Sequence, residues 1–171
     1  TEDQIIHGYD IINKVSLYRE EFNFPDFKKN VCLENGAGHG LFIDGFSKNF
    51  EKVIVIDFST MWCGICINIA TDGDNLVAKY GKENVIWLTV LIENESRFDP
   101  SQDDLNRWVE NFGIQTPVLG GNRSIIDPTA TVGYPITSWP TLVVIDKQMV
   151  IRHGINGWNG DAINAWVSGL L

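Results

Sequence analysis

The feature that most constrains this chain is Lys52-Val53-Ile54-Val55-Ile56-Asp57-Phe58, a β-branched run bounded by charge on one side and a polar turn on the other. Its length suits a strand buried on both faces, which in turn demands covering helices. Val85–Ile92 has the same character, and a helical pattern lies between the two. A strand, a helix and a second buried strand imply a parallel pair joined by a crossover. With 171 residues the chain can bury a real core without cross-links.

The remaining pattern extends this unit. From Cys63 to about Lys79 the spacing predicts one helix, which Gly73 weakens in the middle. Asp99-Pro100-Ser101 opens a helix through about Phe112, with Asp103 and Asp104 favourable in its first turn. Residues 117–119 read as a short strand and residues 125–133 as a short helix with Pro128 near its start. Thr141–Ile145 and Met149–His153 read as a hairpin around Asp146-Lys147-Gln148, and a helix over 161–170 follows. Upstream, residues 4–20 place Ile5, Tyr9 and Ile12 on one helical face, and 31–34 and 41–43 read as strands. Phe24-Pro25-Asp26-Phe27 breaks the first helix. The fold class is therefore α/β, a mixed central sheet flanked by helices.

Composition removes some functions. The net charge of −9 argues against nucleic acid as a partner, because phosphate binding needs a basic face. No apolar run approaches the length of a membrane span, and neither an anchor nor a signal peptide is visible from Thr1 onward.

Three cysteines, Cys32, Cys63 and Cys66, are too few for a disulfide framework. Cys32, in a strand-like segment, reads as a small buried hydrophobe. Cys63-Gly64-Ile65-Cys66 differs, because it follows a strand and a loop and begins a helix. There the first thiol meets unpaired backbone amides and the positive helix end, which favour the attacking thiolate. The second thiol, a turn deeper, can resolve a mixed disulfide. Other readings stand beside this one. Zinc would need two more ligands from Cys32, His7, His39 and His153, which show no second paired spacing. A purely structural disulfide would constrain only a tiny loop.

At this point the residues resemble a known family. Asp57 through Cys66 is similar to the active-site segment of the thioredoxin family, and Ser138-Trp139-Pro140-Thr141 resembles its cis-proline loop. The stretch from Pro25 to Phe46 and the additional helix at Asp103–Phe112 resemble the TlpA/ResA-type branch. The resemblance covers residues 24–171 as a thioredoxin-like domain, leaving 1–23 as an N-terminal helical extension. It implies Cys63 as nucleophile, Cys66 as resolving thiol, and Asp57 as a buried carboxylate that exchanges a proton with it. Burial of such a group raises its pKa. Pro140 would follow a cis bond, setting residue 139 beside the dithiol to pair with an extended substrate.

The resemblance further implies a thiol–disulfide oxidoreductase that needs neither metal nor cofactor beyond its dithiol. Its partners would be protein thiols or disulfides and an upstream redox protein, met by a monomer in an extracytoplasmic, periplasm-like compartment. Substrate contacts would come from Trp62, Gly64, Ile65, Trp139 and Pro140. Met61, Ile65, Ile67, Trp62 and Trp139 could form an apolar rim, with Ile67 equally able to point inward. Three departures appear: Trp139 is bulkier than usual before the proline, the helix lacks the usual Pro, and Ile69 replaces the branch's Glu. Two other functions remain open. Thr60-x-x-Cys63 mimics part of a peroxiredoxin site, although Ile56 stands where its Pro belongs, and a binding module would keep the fold with vestigial cysteines.

Overall fold

In a computed structural model, residues 52–126, 136–148 and 150–171 are described. Five strands form one sheet in the order β3-β2-β1-β4-β5. The strands are β1 (Val53–Thr60), β2 (Val85–Glu93), β3 (Val118–Gly120), β4 (Thr141–Ile145) and β5 (Ile151–Asn156). The helices are α1 (Gly64–Asn68), α2 (Asp72–Tyr80), α3 (Gln102–Phe112) and α4 (Gly160–Leu170), with a 3-10 turn at Arg123–Ile125. β1 pairs parallel to β2 and β2 to β3, whereas β4 runs antiparallel to β1 and to β5. This is the mixed, helix-flanked sheet that the sequence predicts.

The β-branched run is the middle strand because every residue of β1 is buried. Val53 and Val55 share a core with Val85 and Trp87 of β2, Leu142 and Val144 of β4, Leu76 of α2, and Ile163 and Val167 of α4. β1 runs two residues beyond the predicted strand. Ser59 and Thr60 pair with β2 rather than forming a loop, with a register shift that sets Thr60 against Glu93.

The single helix expected from Cys63 to Lys79 is instead two. α1 stops after five residues at Ile69 (φ −101°, ψ 5°), and α2 starts after Thr71 with Asp72 and Asp74 in its first turn. The β-branched residues Ile65, Ile67, Ile69 and Thr71 weaken helix continuation, while Thr and Asp favour a new start. Gly73, expected only to weaken the helix, lets α2 approach the sheet. A Cβ there would lie within 2.7 Å of Trp87 Nε1 and closer still to the ring carbons. The Trp87 ring is fully buried and packs edge-on to Trp158 at 6.4 Å, so it has nowhere to move. Gly73→Ala should therefore destabilise the fold by about 1–2 kcal/mol, because overpacking outweighs the roughly 1 kcal/mol gain in helix propensity. A lower urea midpoint in equilibrium unfolding checks this.

α3 opens as predicted, with a reciprocal capping box between Ser101 and Asp104, and ends at Gly113 in the left-handed region (φ +66°). β5 begins two residues later than expected. The helix predicted over 125–133 is a 3-10 turn as far as Ile125, and Ile126 is extended. Its remainder, Cys32, His7, His39, the helix at 4–20 and the strands at 31–34 and 41–43 lie outside the described residues. Among the described residues, no helix is long and apolar enough to cross a membrane.

Candidate active site

Cys63 and Cys66 are joined by a disulfide, with their Cα atoms 5.2 Å apart. Cys63 caps α1, its backbone extended, and its Sγ accepts a hydrogen bond from the Cys66 amide at 3.2 Å. The same amide would stabilise a Cys63 thiolate after reduction, since hydrogen bonding to the charged form favours it. α1 is only five residues long, shorter than the helix expected behind Cys63.

Cys63 opens onto a groove of about 670 Å³ lined by Trp62, Cys63, Gly64, Ile65, Ile67, Asn68 and Trp139. Ile65 is 50% exposed, and Ile67 also faces solvent. The rim is thus apolar as expected but smaller, since Met61 is buried beneath it. Its backbone amide donates to the Glu93 carbonyl at 2.9 Å, which holds Met61 against the end of β2. Cys66 is only 1% exposed and does not line the groove. Pro140 is also buried, directly ahead of β4, and the Trp139–Pro140 peptide bond is cis.

Asp57 lies five residues into β1 and is 2% exposed. Its Oδ1 accepts a hydrogen bond from Ser59 Oγ at 2.6 Å. Burial pushes its carboxyl up to about 7; the hydroxyls of Ser59 and Thr89 lower it, and the charge of Asp72 raises it. A carboxyl in that range can hold or release a proton near neutrality.

Glu93 was not singled out in the sequence, yet it secures one wall of the groove. It is 3% exposed and accepts from Trp62 Nε1 at 2.8 Å and from Arg123 Nε. Burial alone would raise its pKa, but the hydrogen bonds from Arg123 and Trp62 and the charges of Arg123 and Arg97 outweigh it and hold the carboxyl below the usual glutamate range. Arg97, in the left-handed region at φ +65°, places its guanidinium 4.2 Å from the Trp62 ring centre. The available signal was an acid ending a buried β-run, the same signal that marks Asp57. Of the residues weighed for zinc, His153 lies on the edge strand β5 and stacks on Trp166 at 4.6 Å.

No protein-family model matches the chain. Several solved structures share its fold. A thioredoxin-family thiol:disulfide interchange protein from Chlorobium tepidum is 17% identical at a TM-score of 0.56, covering 70% of this chain and 80% of that one. The exposed lipoprotein thioredoxin of Streptococcus pneumoniae is 22% identical at 0.55, covering 75% and 90%. A secreted disulfide oxidoreductase of Mycobacterium tuberculosis is 16% identical at 0.52, covering 70% and 83%. In sequence, a curated thioredoxin of Coprinus comatus is 36% identical over 74 residues, 42% of this chain and 68% of that protein. With that identity, this sheet and a dithiol closed at the start of a helix, the chain belongs to the thioredoxin family of thiol–disulfide oxidoreductases.

Proposed function

We propose that this oxidoreductase exchanges disulfides with cysteine-bearing protein segments laid into the groove beside Cys63. The observation that carries the reading is the Cys63–Cys66 disulfide, one sulfur of which borders the apolar groove while the other is buried behind it. In the reduced protein, the Cys63 thiolate attacks one sulfur of a partner disulfide. The new S–S bond forms as the partner's bond breaks, and one partner thiolate leaves. Cys66 then gives its proton to the Asp57 carboxylate and attacks Cys63 Sγ, expelling the second partner thiolate. Two electrons pass from the dithiol to the partner, and the steps reverse when the disulfide form meets a reduced partner. The dithiol is itself the electron carrier, so the exchange calls on neither a metal nor a cofactor.

Trp62, Ile65 and Trp139 supply the apolar contact, and Gly64 lines the groove between them, where an added Cβ would meet open space. An extracytoplasmic compartment, where disulfides persist, is the setting we propose, with an upstream redox protein restoring the starting state. The descriptions of the S. pneumoniae and M. tuberculosis structures as exposed and secreted support it.

Trapping tests the exchange. Cys66→Ser in the full chain should form a covalent adduct with an unfolded, disulfide-bonded protein, released by dithiothreitol. The Cys63→Ser variant should form none. Absence of the adduct from Cys66→Ser would overturn the proposal.

A further inference from the structure

Asp57 sits in register with Thr89 across the parallel β1–β2 pair, which sets the Thr89 hydroxyl beside its carboxyl on one face of the sheet. Two residues earlier on β2, Trp87 donates its indole N–H to Thr89 Oγ1 at 3.1 Å. An indole nitrogen can only donate, whereas a hydroxyl carries one hydrogen and two lone pairs. With a lone pair of Thr89 taken by Trp87, the hydroxyl hydrogen remains available to the neighbouring Asp57 carboxyl. Ser59 Oγ donates to the same carboxyl. We infer that Thr89, aimed by the Trp87 indole, is a positioning residue that holds Asp57 as the proton acceptor for the resolving step.

The surroundings leave this task to hydroxyls. Among the described residues, this face carries Leu142 and Val144 from β4 and Ile163 and Val167 from α4, all apolar. From α2 comes Asp72, whose negative charge opposes ionisation of Asp57. Among the described residues, no cation is among the groups that set the Asp57 carboxyl. Trp87, the donor at the head of the relay, is itself fixed by the close approach of Gly73 and by Trp158. Its direction is therefore set by the packed core. A hydroxyl donating to a carboxylate favours the charged form, so its loss must move the titration upward.

The inference rests on Asp57 serving Cys66, and a two-phase reaction separates the two ideas. Reduced protein and dithionitrobenzoate release one aryl thiolate when Cys63 attacks and a second when Cys66 resolves the mixed disulfide. Both are read by absorbance across a pH series. Thr89→Val should raise the midpoint of the second phase by about one pH unit, leaving the first phase unchanged. Thr89→Ser, which keeps the hydroxyl, should restore the parent profile. Thr89→Ala provides the same test without a buried methyl if the Val variant fails to fold. A parent-like midpoint in the hydroxyl-free variants, with Asp57→Asn abolishing the transition, overturns the role of Thr89 alone. If Asp57→Asn keeps the transition, the reading of Asp57 falls and takes this inference with it.

Discussion

The Cys63→Ser protein should lose disulfide exchange altogether, its turnover falling below about a thousandth of the parent rate. The substitution is small: a hydroxyl replaces a thiol at the cap of α1, where serine is itself a favoured cap. The fold should survive, so lost turnover reports chemistry. Serine cannot be oxidised to a disulfide with Cys66, and its hydroxyl does not ionise near neutrality. The measurement is reduction of a protein disulfide by the full chain in the presence of dithiothreitol. Retained turnover would mean that the groove and its sulfur are not the reacting centre.

Asp57→Asn should make the oxidised protein more stable in alkaline solution, by up to about 4 kcal/mol near pH 8. The sign follows from the carboxyl's pKa, raised from 3.8 to about 7 in the fold, mainly by burial. Between these values the folded state binds more protons than the unfolded state. Native stability is therefore full below about pH 4 and falls as pH rises towards about 7. Asparagine cannot ionise, and its amide oxygen can still accept from Ser59, so the variant escapes that loss. The two proteins should unfold at similar urea concentrations near pH 4 and diverge steadily above it. Parallel curves across that range would show that Asp57 is not the buried ionising group. The parent retains a stability penalty at the residue we propose for the resolving proton, as sites with perturbed pKa values commonly do.

Much of this architecture is legible in the sequence because burial writes a strong signal. The β-branched runs of β1 and β2 and the strand at Thr141–Ile145 appear where apolar periodicity puts them, and Ser101 with Asp104 marks the start of α3. The dithiol is equally plain, because few other chemistries want two cysteines at that spacing after a strand. What escaped depends on contacts between distant residues. The break between α1 and α2 hides in a run of β-branched residues that alternates in a way compatible with either a short helix or a strand. Gly73 looks like a flaw until Trp87 is seen against it. Glu93 reads as an ordinary acid at a strand end, and only the register shift at Thr60 brings it beneath Trp62. Met61 looked like a rim residue because its neighbours are, but its amide is tied to β2.

The hold of Glu93 on Trp62 also decides which partner gives up freedom when a complex forms. With the indole bonded at its nitrogen to a buried acid and its ring covered by Arg97, this groove wall is held in place before anything arrives. The protein then loses little motion on association, so the ordering cost falls on the incoming chain. Under the proposed function, cysteine segments already held extended should bind such a wall more tightly than free coils of the same sequence. Selection among partners thus turns on their own disorder as much as on the residues flanking their sulfur.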